Sequence, residues 1–465
     1  METINSASVA GAYAVLTRVI SEHRAGDALS RITVVVSGFW MARDVLHHLG
    51  RAGGAANVAV VPFDQLVSEL ARGSLAPRVP LPFPVLESSV RSVLSTDPGV
   101  FAEVAAEPVT GRSLAEASRT LGRHTDPRGD GAGLTTELLR IHHSAVGRLR
   151  SRYYLPHEAV EAAAARIRSG LLGTVIVFLP AEQERHTEEF QRQMAEGATV
   201  IDVEAAVSPS LIVHASDADD EVRSAVRTVS RVLAGGTPGH RVGVYYGDEG
   251  TYLPLLHQHM AAADIAISAP AATGLADSAA AWTLMEMISW DAQEMPRHQV
   301  LSVLGRHVVR APSGEGALSV RQAEILTRRD VPVVGGEDWE RLEEVPEDHP
   351  RCAAARALVA FVRDMSTRLT VLASARTWAD VAGTLVSLID DYFTGRAGDG
   401  SVQPVRDVAA GLADLAGIAP APSIPTIAAA RSASMAGGRG RVGEDGAAVA
   451  TGSIADGAGR DLDVC

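Results

Sequence analysis

The chain has 465 residues, more than one ordinary core accommodates, so two to four domains are expected. Its 46% hydrophobic share suffices for a large interior, but with 4% aromatic residues that interior must be built from Ala, Val and Leu. The net charge of −14 is a poor global field for nucleic acid, leaving only a local basic face for such binding, and two cysteines, Cys352 and Cys465, argue against a disulfide framework and against a zinc or iron–sulfur site.

In chain order, the opening residues carry no basic segment followed by an apolar one, so no secretory leader is expected. No apolar run reaches the roughly 18 residues of a membrane span. Residues 10–24 have helical periodicity. RITVVVSGFW (31–40) is β-branched and reads as a buried strand, MARDVLHHLGRAGG as a helix closed by glycines, and NVAVVPFDQLVSELARG as strand then helix. This β-α-β-α grammar predicts a parallel sheet with helices on its faces. From about residue 84 to 170 the pattern becomes a run of amphipathic helices. Strands resume at GTVIVFLPA (173–181), ATVIDVEA and LIVHAS.

Asp217, Asp219, Asp220 and Glu221 then precede a helix, and acids in a first turn satisfy free N–H groups and suit the helix dipole. The alternative, a calcium loop, lacks the glycine turn and distal Glu such a loop needs. Strand, helix and short strand follow over 241–268, and residues 275–400 are again mostly helical. After a Gly/Ala/Pro-rich stretch, GAAVATGSIADGAGRDLDVC reads as a hairpin-like return, and a strand that has only begun at LDVC is expected of a fragment.

No lysine occurs anywhere; every basic side chain other than histidine is arginine. The bland cause is coding bias, but the chemical consequence holds whatever the cause. A GxxxxGK[ST] loop reaches the β- and γ-phosphates with its lysine, and this chain has none to offer.

Two parallel-sheet units, each interrupted by helices, resemble the superfamily 1 helicases such as UvrD. The chain is most similar to AddB-like and actinobacterial helicase–nuclease proteins of the PD-(D/E)XK family. The resemblance rests chiefly on SDADDEVRSAVRTVSRVLAGGTPGHRVGVYYGDEGTYLPLLHQHMAAADIAISAPAATGLADS, which looks like the start of helicase domain 2A. VVVSGFWMARDVL and VAVVPFDQLVSEL resemble DNA-contacting segments of domain 1A, and GRVGEDGAAVATGSIADGAGRDLDV resembles the lead-in to motif V. The resemblance implies an α/β protein of two RecA-like parallel-sheet lobes, 1A and 2A, each interrupted by a helical insert, 1B and 2B. The expected division is 1–83 (1A), 84–172 (1B-like), 173–210 (1A return), 211–274 (2A), 275–400 (2B-like) and 401–465 (linker and truncated return to 2A).

The departures from the family matter as much. No GxxxxGK loop precedes VVVSGFWMARD; Ala181, Glu182 and Gln183 stand where a Walker B acid pair would; Gly247 and Asp248 replace the motif IV arginine. Without lysine, magnesium carboxylate and arginine, the γ-phosphate transition state lacks its usual stabilisers. No ATPase, cofactor or metal is therefore expected in this chain, while the parent protein is expected to carry a C-terminal exonuclease. The implied role is a non-catalytic module of a DNA double-strand-break repair helicase–nuclease, acting in recombination in the cytoplasm. It would bind or scan single-stranded DNA, or a duplex end, and scaffold an active helicase–nuclease subunit, with no membrane involved. Three alternatives remain: a fragment of an active helicase or exonuclease whose catalytic motifs lie beyond residue 465, an unrelated α/β enzyme using arginines for phosphate, and a pure protein–protein scaffold.

Candidate DNA contacts follow. The family's first DNA motif uses a small hydroxyl and a ring at a strand tip, which maps onto Ser37, Phe39, Trp40 and Arg43, and the next segment maps onto Phe63 and Gln65. From composition alone, Arg148, Arg150 and Arg152 with Tyr153 and Tyr154 form a basic run beside rings. Arginines hold phosphates and rings stack on bases; the alternative is a core ring at each aromatic and a solvated helix end at the arginines. The pairs His47–His48 and His142–His143 invite a metal reading, but neighbours on a helix point about 100° apart and cannot chelate one ion unaided.

Overall fold

The computed structural model describes residues 2–27, 29–54, 56–125, 127–128, 133–167, 171–180, 187–204, 211–306, 308–309, 320–394, 402–418, 422, 427, 440–444 and 446–465. The protein is mixed α/β. Its first sheet contains β1 (Glu2–Ser6), β2 (Ile32–Val36), β3 (Val58–Pro62), β6 (Thr174–Phe178) and β7 (Thr199–Val203), in the order β1-β7-β6-β2-β3. Every neighbouring pair is parallel; β6 is central, and β2 lies between β6 and β3, with Ile32 opposite both Val58 and Thr174.

Period-two alternation sends the sheet's side chains to two helical layers. Ile32, Val34, Val36, Ile176, Phe178 and Ile201 face α1 (Val9–Arg24) and α2 (Phe39–Arg51). Val35 and Val177 face the opposite way, toward α3 (Phe63–Leu75), α7 (Pro156–Ile167) and α8 (Glu188–Ala195). Burial on both faces explains why β2 and β6 read as continuous apolar runs. The edge strand β1 was not legible: its ETINS is polar and half exposed, so it carries no apolar pattern.

Between β3 and β6 the chain leaves as α4 (Phe83–Thr96), α5 (Pro108–Leu121) and α6 (Gly133–Gly147). It departs along β4 (Val79–Pro80) and returns along β5 (Tyr153–Tyr154), which pair side by side in parallel. Periodicity placed α7 with this helical segment, whereas its Ala159, Val160 and Ala163 pack onto α3 as part of the sheet's covering layer.

A second sheet has the order β10-β9-β11-β8, from β8 (Gly243–Tyr246), β9 (Ile267–Pro270), β10 (Arg441–Val442) and β11 (Val449–Ser453). β11 runs parallel to both β8 and β9, and β10 is antiparallel to β9. One face is covered by α9 (Ala218–Ala234) and α10 (Glu249–Ala262) through Val222, Val226, Val229, Leu253, Leu256 and Met260. The acid cluster caps α9 as expected: Asp217 accepts from the Asp220 amide at 2.8 Å. Asp219 and Glu221 instead reach α10, at His259 (2.6 Å) and Tyr252 (2.7 Å).

Two strand expectations fail here. LIVHAS forms no strand; Leu211, Ile212 and Val213 are exposed, with no neighbouring strand to pair with among the described residues. The expected hairpin after β11 is a crossover. A short helix turns the chain, which returns to the amino end of β8, where Val464 bridges Val242 in parallel.

The remaining helices are α11 (Ala279–Ser289), α12 (Arg297–Gly305), α13 (Val320–Ile325), α14 (Cys352–Ser374), α15 (Trp378–Tyr392) and α16 (Val402–Gly411). They share one core, which also takes in Val85, Leu149 and Tyr153 from the earlier helical segment. The two helical segments therefore pack on each other. No described helix is long and apolar enough to cross a membrane. The last short helix is α17 (Ile454–Gly457), closed by a capping box between Ser453 and Asp456.

Candidate functional site

The two sheets meet along α2. Trp40, Arg43, Asp44, His47, His48 and Arg51 recur at helical spacing and share one face, while Met41, Ala42, Val45 and Leu49 anchor the other face in the first sheet's core. The polar face lies over the second sheet, where alternation puts Ser268 and Ala450 toward the cleft and Ala269 and Val449 toward α9 and α10. Small residues there, Gly446 and Ala448 among them, let the long side chains of α2 come close. The cavity left between them, partly open to solvent, measures about 80 Å³.

Trp40 is the hub. The guanidinium of Arg441 lies 4.1 Å from its ring centre, Arg460 5.6 Å and Arg43 5.8 Å. Such contacts are worth about 0.5–1 kcal/mol each when exposed and more when desolvated. Arg460 also donates from Nε (2.8 Å) and Nη2 (3.1 Å) to the two oxygens of Asp44. Burial works against the Arg460 charge, and the Asp44 carboxylate more than offsets it, holding the guanidinium above its usual range.

The turn before Arg460 sits on the first sheet's helical layer. The Tyr13 hydroxyl reaches the Gly459 carbonyl at 3.4 Å. Gly459 has φ +69°, a left-handed conformation that strains any residue with a side chain, and a Cβ there would also have to displace the flexible end of Met41. On the far side, the hydrogen bonds that Arg241 donates to Asp463 and Asp461 hold its guanidinium above the usual range; the Arg241–Asp463 contact is 2.6 Å.

The sequence-derived candidates divide. Trp40 and Arg43 lie in this cleft, but the Trp40 ring is covered by arginines of the same chain. Phe39 is 58% exposed and is the one of these rings open to a base. Ser37 is half-buried and points its hydroxyl at Met41 Sδ, 3.8 Å away. Phe63 is a correction: it is 3% exposed and packs edge-on to Phe190 in the core, so it cannot stack on a nucleotide. Gln65 is exposed and donates to Glu69 at 2.7 Å.

Tyr153 is a second correction. It and Tyr154 are core residues, and Tyr153 joins the core shared by the helical segments. Arg148, Arg150 and Arg152 are exposed; Arg148 donates to Ser92 and Arg152 lies 3.9 Å from Asp414. At such exposure these contacts hold the arginines weakly. The position of the Walker B acids, 181–183, lies outside the described residues. Asp248, in the motif IV position, caps α10 and is held below the usual carboxylate range by Thr251 and Gly250.

Of the histidine pairs, His48 is bonded to Thr17 at 3.0 Å and His142 is buried against Ser118 at 2.7 Å. Sequence reasoning missed Asp44, Arg241, Arg441, Arg460 and Asp461. The stripe on α2 was the available signal for Asp44 alone; the other four come from positions some two hundred to four hundred residues away. No protein-family model matches this chain, and no curated protein matches it.

Proposed function

We propose that this chain is a non-catalytic, helicase-like module that binds single-stranded DNA and scaffolds a partner motor in DNA break repair. In this reading the two sheets are RecA-like lobes that have kept their layout and lost their ATPase. The observation that carries it is a pair of separate sheets, one wholly and one mainly parallel, meeting across a cleft that is bridged by its own side chains. Open parallel sheets hold ligands at the carboxyl ends of their strands. Here the turn after β1 is only Ala7 and Ser8 before α1 begins, too short for a phosphate loop, and the chain has no lysine to complete one. A cavity of about 80 Å³ is also far below the roughly 300 Å³ or more of a typical ligand pocket.

DNA contact falls to the exposed Phe39 ring and to Arg148, Arg150 and Arg152. Fluorescence anisotropy with oligothymidine tests this. Phe39→Ala is expected to weaken binding by about 1–3 kcal/mol, the worth of one stacked base, while ATP hydrolysis stays at background with and without DNA. DNA-stimulated turnover would refute the reading.

A further inference from the structure

One corner of the cleft gathers Arg51, His47 and His240. Arg51, in the last turn of α2, donates to Nε2 of His240, in the short turn before β8, at 3.4 Å. His47, one turn back on α2, lines the same cavity. An imidazole nitrogen that accepts from a guanidinium carries no proton. Burial holds His240 below its usual range, and the neighbouring Arg51, Arg241 and His47 side chains push it further down against the pull of Asp44. Asp463 also faces it, and Asp461 lines the same cavity. All three carboxylates are already engaged, Asp44 with Arg460, and Asp461 and Asp463 with Arg241.

We propose that Arg51, His47 and His240 form a binding site for one phosphate- or sulfate-sized oxyanion, taken up together with a proton on His240. The cavity, about 80 Å³, has room for several waters or one tetrahedral ion and not for a nucleoside. The proton arrives on His240 Nε2, which changes from acceptor to donor; Arg51 then turns its N–H toward the anion. The negative pole of α2 opposes an anion at this end of the helix, and the added proton offsets it. A phosphoryl group can come from a free ion or from the end of a polynucleotide. The site does not depend on the single-strand-binding role, and the two are read in separate titrations.

The test is calorimetric titration with sodium sulfate against chloride at matched ionic strength, from pH 7.5 to 5.5. Sulfate stays a dianion throughout, so any pH dependence belongs to the protein. Affinity is expected to rise by up to about tenfold per unit of falling pH, the limit for one linked proton. Buffers of different ionisation heat should report uptake of up to one proton. Arg51→Gln should weaken binding at pH 6 about tenfold, and His240→Gln, made in a His47→Gln background so that no second imidazole lines the site, should remove the pH slope; Arg51 is exposed and His240 half-buried, and thermal melting checks that each variant folds. Competition by 5′-phosphorylated but not 5′-hydroxyl oligothymidine assigns the site to polynucleotide ends, and competition by neither assigns it to the free ion. Sulfate binding that is flat with pH and equal in both variants means an adventitious ion only and overturns the proposal, as does no saturable uptake at pH 6.

Discussion

Asp44 on α2 and Arg460 in the turn after α17 join the two sheets' layers through a two-point ion pair. Their side chains are 18% and 12% exposed, so neither charge is well solvated alone. Asp44→Asn should strand the guanidinium and cost about 2–3 kcal/mol, as for a charged hydrogen-bonding partner lost from a partly buried pair. Adding Arg460→Met should recover part of that loss, because the stranded charge goes with it. Urea denaturation of the single and double variants measures both; a double variant no more stable than Asp44→Asn would show that the charge is not what the substitution exposes. The pairing was invisible in the sequence because its members are 416 positions apart. Trp40 was legible as a special residue but not in its role. A ring at a strand tip looks the same whether a base or an arginine will cover it.

At the scale of elements, strands buried on both faces were readable and edge segments were not. β2 and β6 declare themselves by β-branched runs, whereas β1 is polar and LIVHAS, apolar as it is, has no partner strand among the described residues. Helix caps were readable because they are local: Asp217 does what an acid before a helix is expected to do. Packing between α5 and α6 was not. There His142 is buried, bonded to Ser118 and held down to about pKa 4, first by burial and then by His143, His157 and Arg150.

The folded state therefore resists a proton that the unfolded chain accepts at about pH 6.5. This contribution to stability is complete above pH 6.5, declines as pH falls, and is gone by about pH 4, a total on the order of 3 kcal/mol. His142→Gln keeps a polar partner for Ser118 without titrating. The stability difference between the wild type and this variant should shrink by that amount between pH 7 and pH 4 in urea denaturation. A difference that stays constant would place the titration elsewhere.

For the whole molecule, composition and periodicity anticipated an α/β protein with parallel strands and two helical segments. They did not anticipate that the helical segments share a core, nor that the cleft between the sheets is closed by the chain's own arginines, since both depend on contacts distant in sequence. A chain of net charge −14 binds nucleic acid only through a local basic face, and the exposed arginines 148, 150 and 152 are the candidates. The most direct test of single-strand binding is its salt dependence, measured by oligothymidine anisotropy between 50 and 200 mM salt. Three phosphate contacts should give a log–log slope of about −2, reduced toward zero when the three arginines become glutamine. No binding at the lowest salt, or binding indifferent to salt and to those substitutions, would contradict the account.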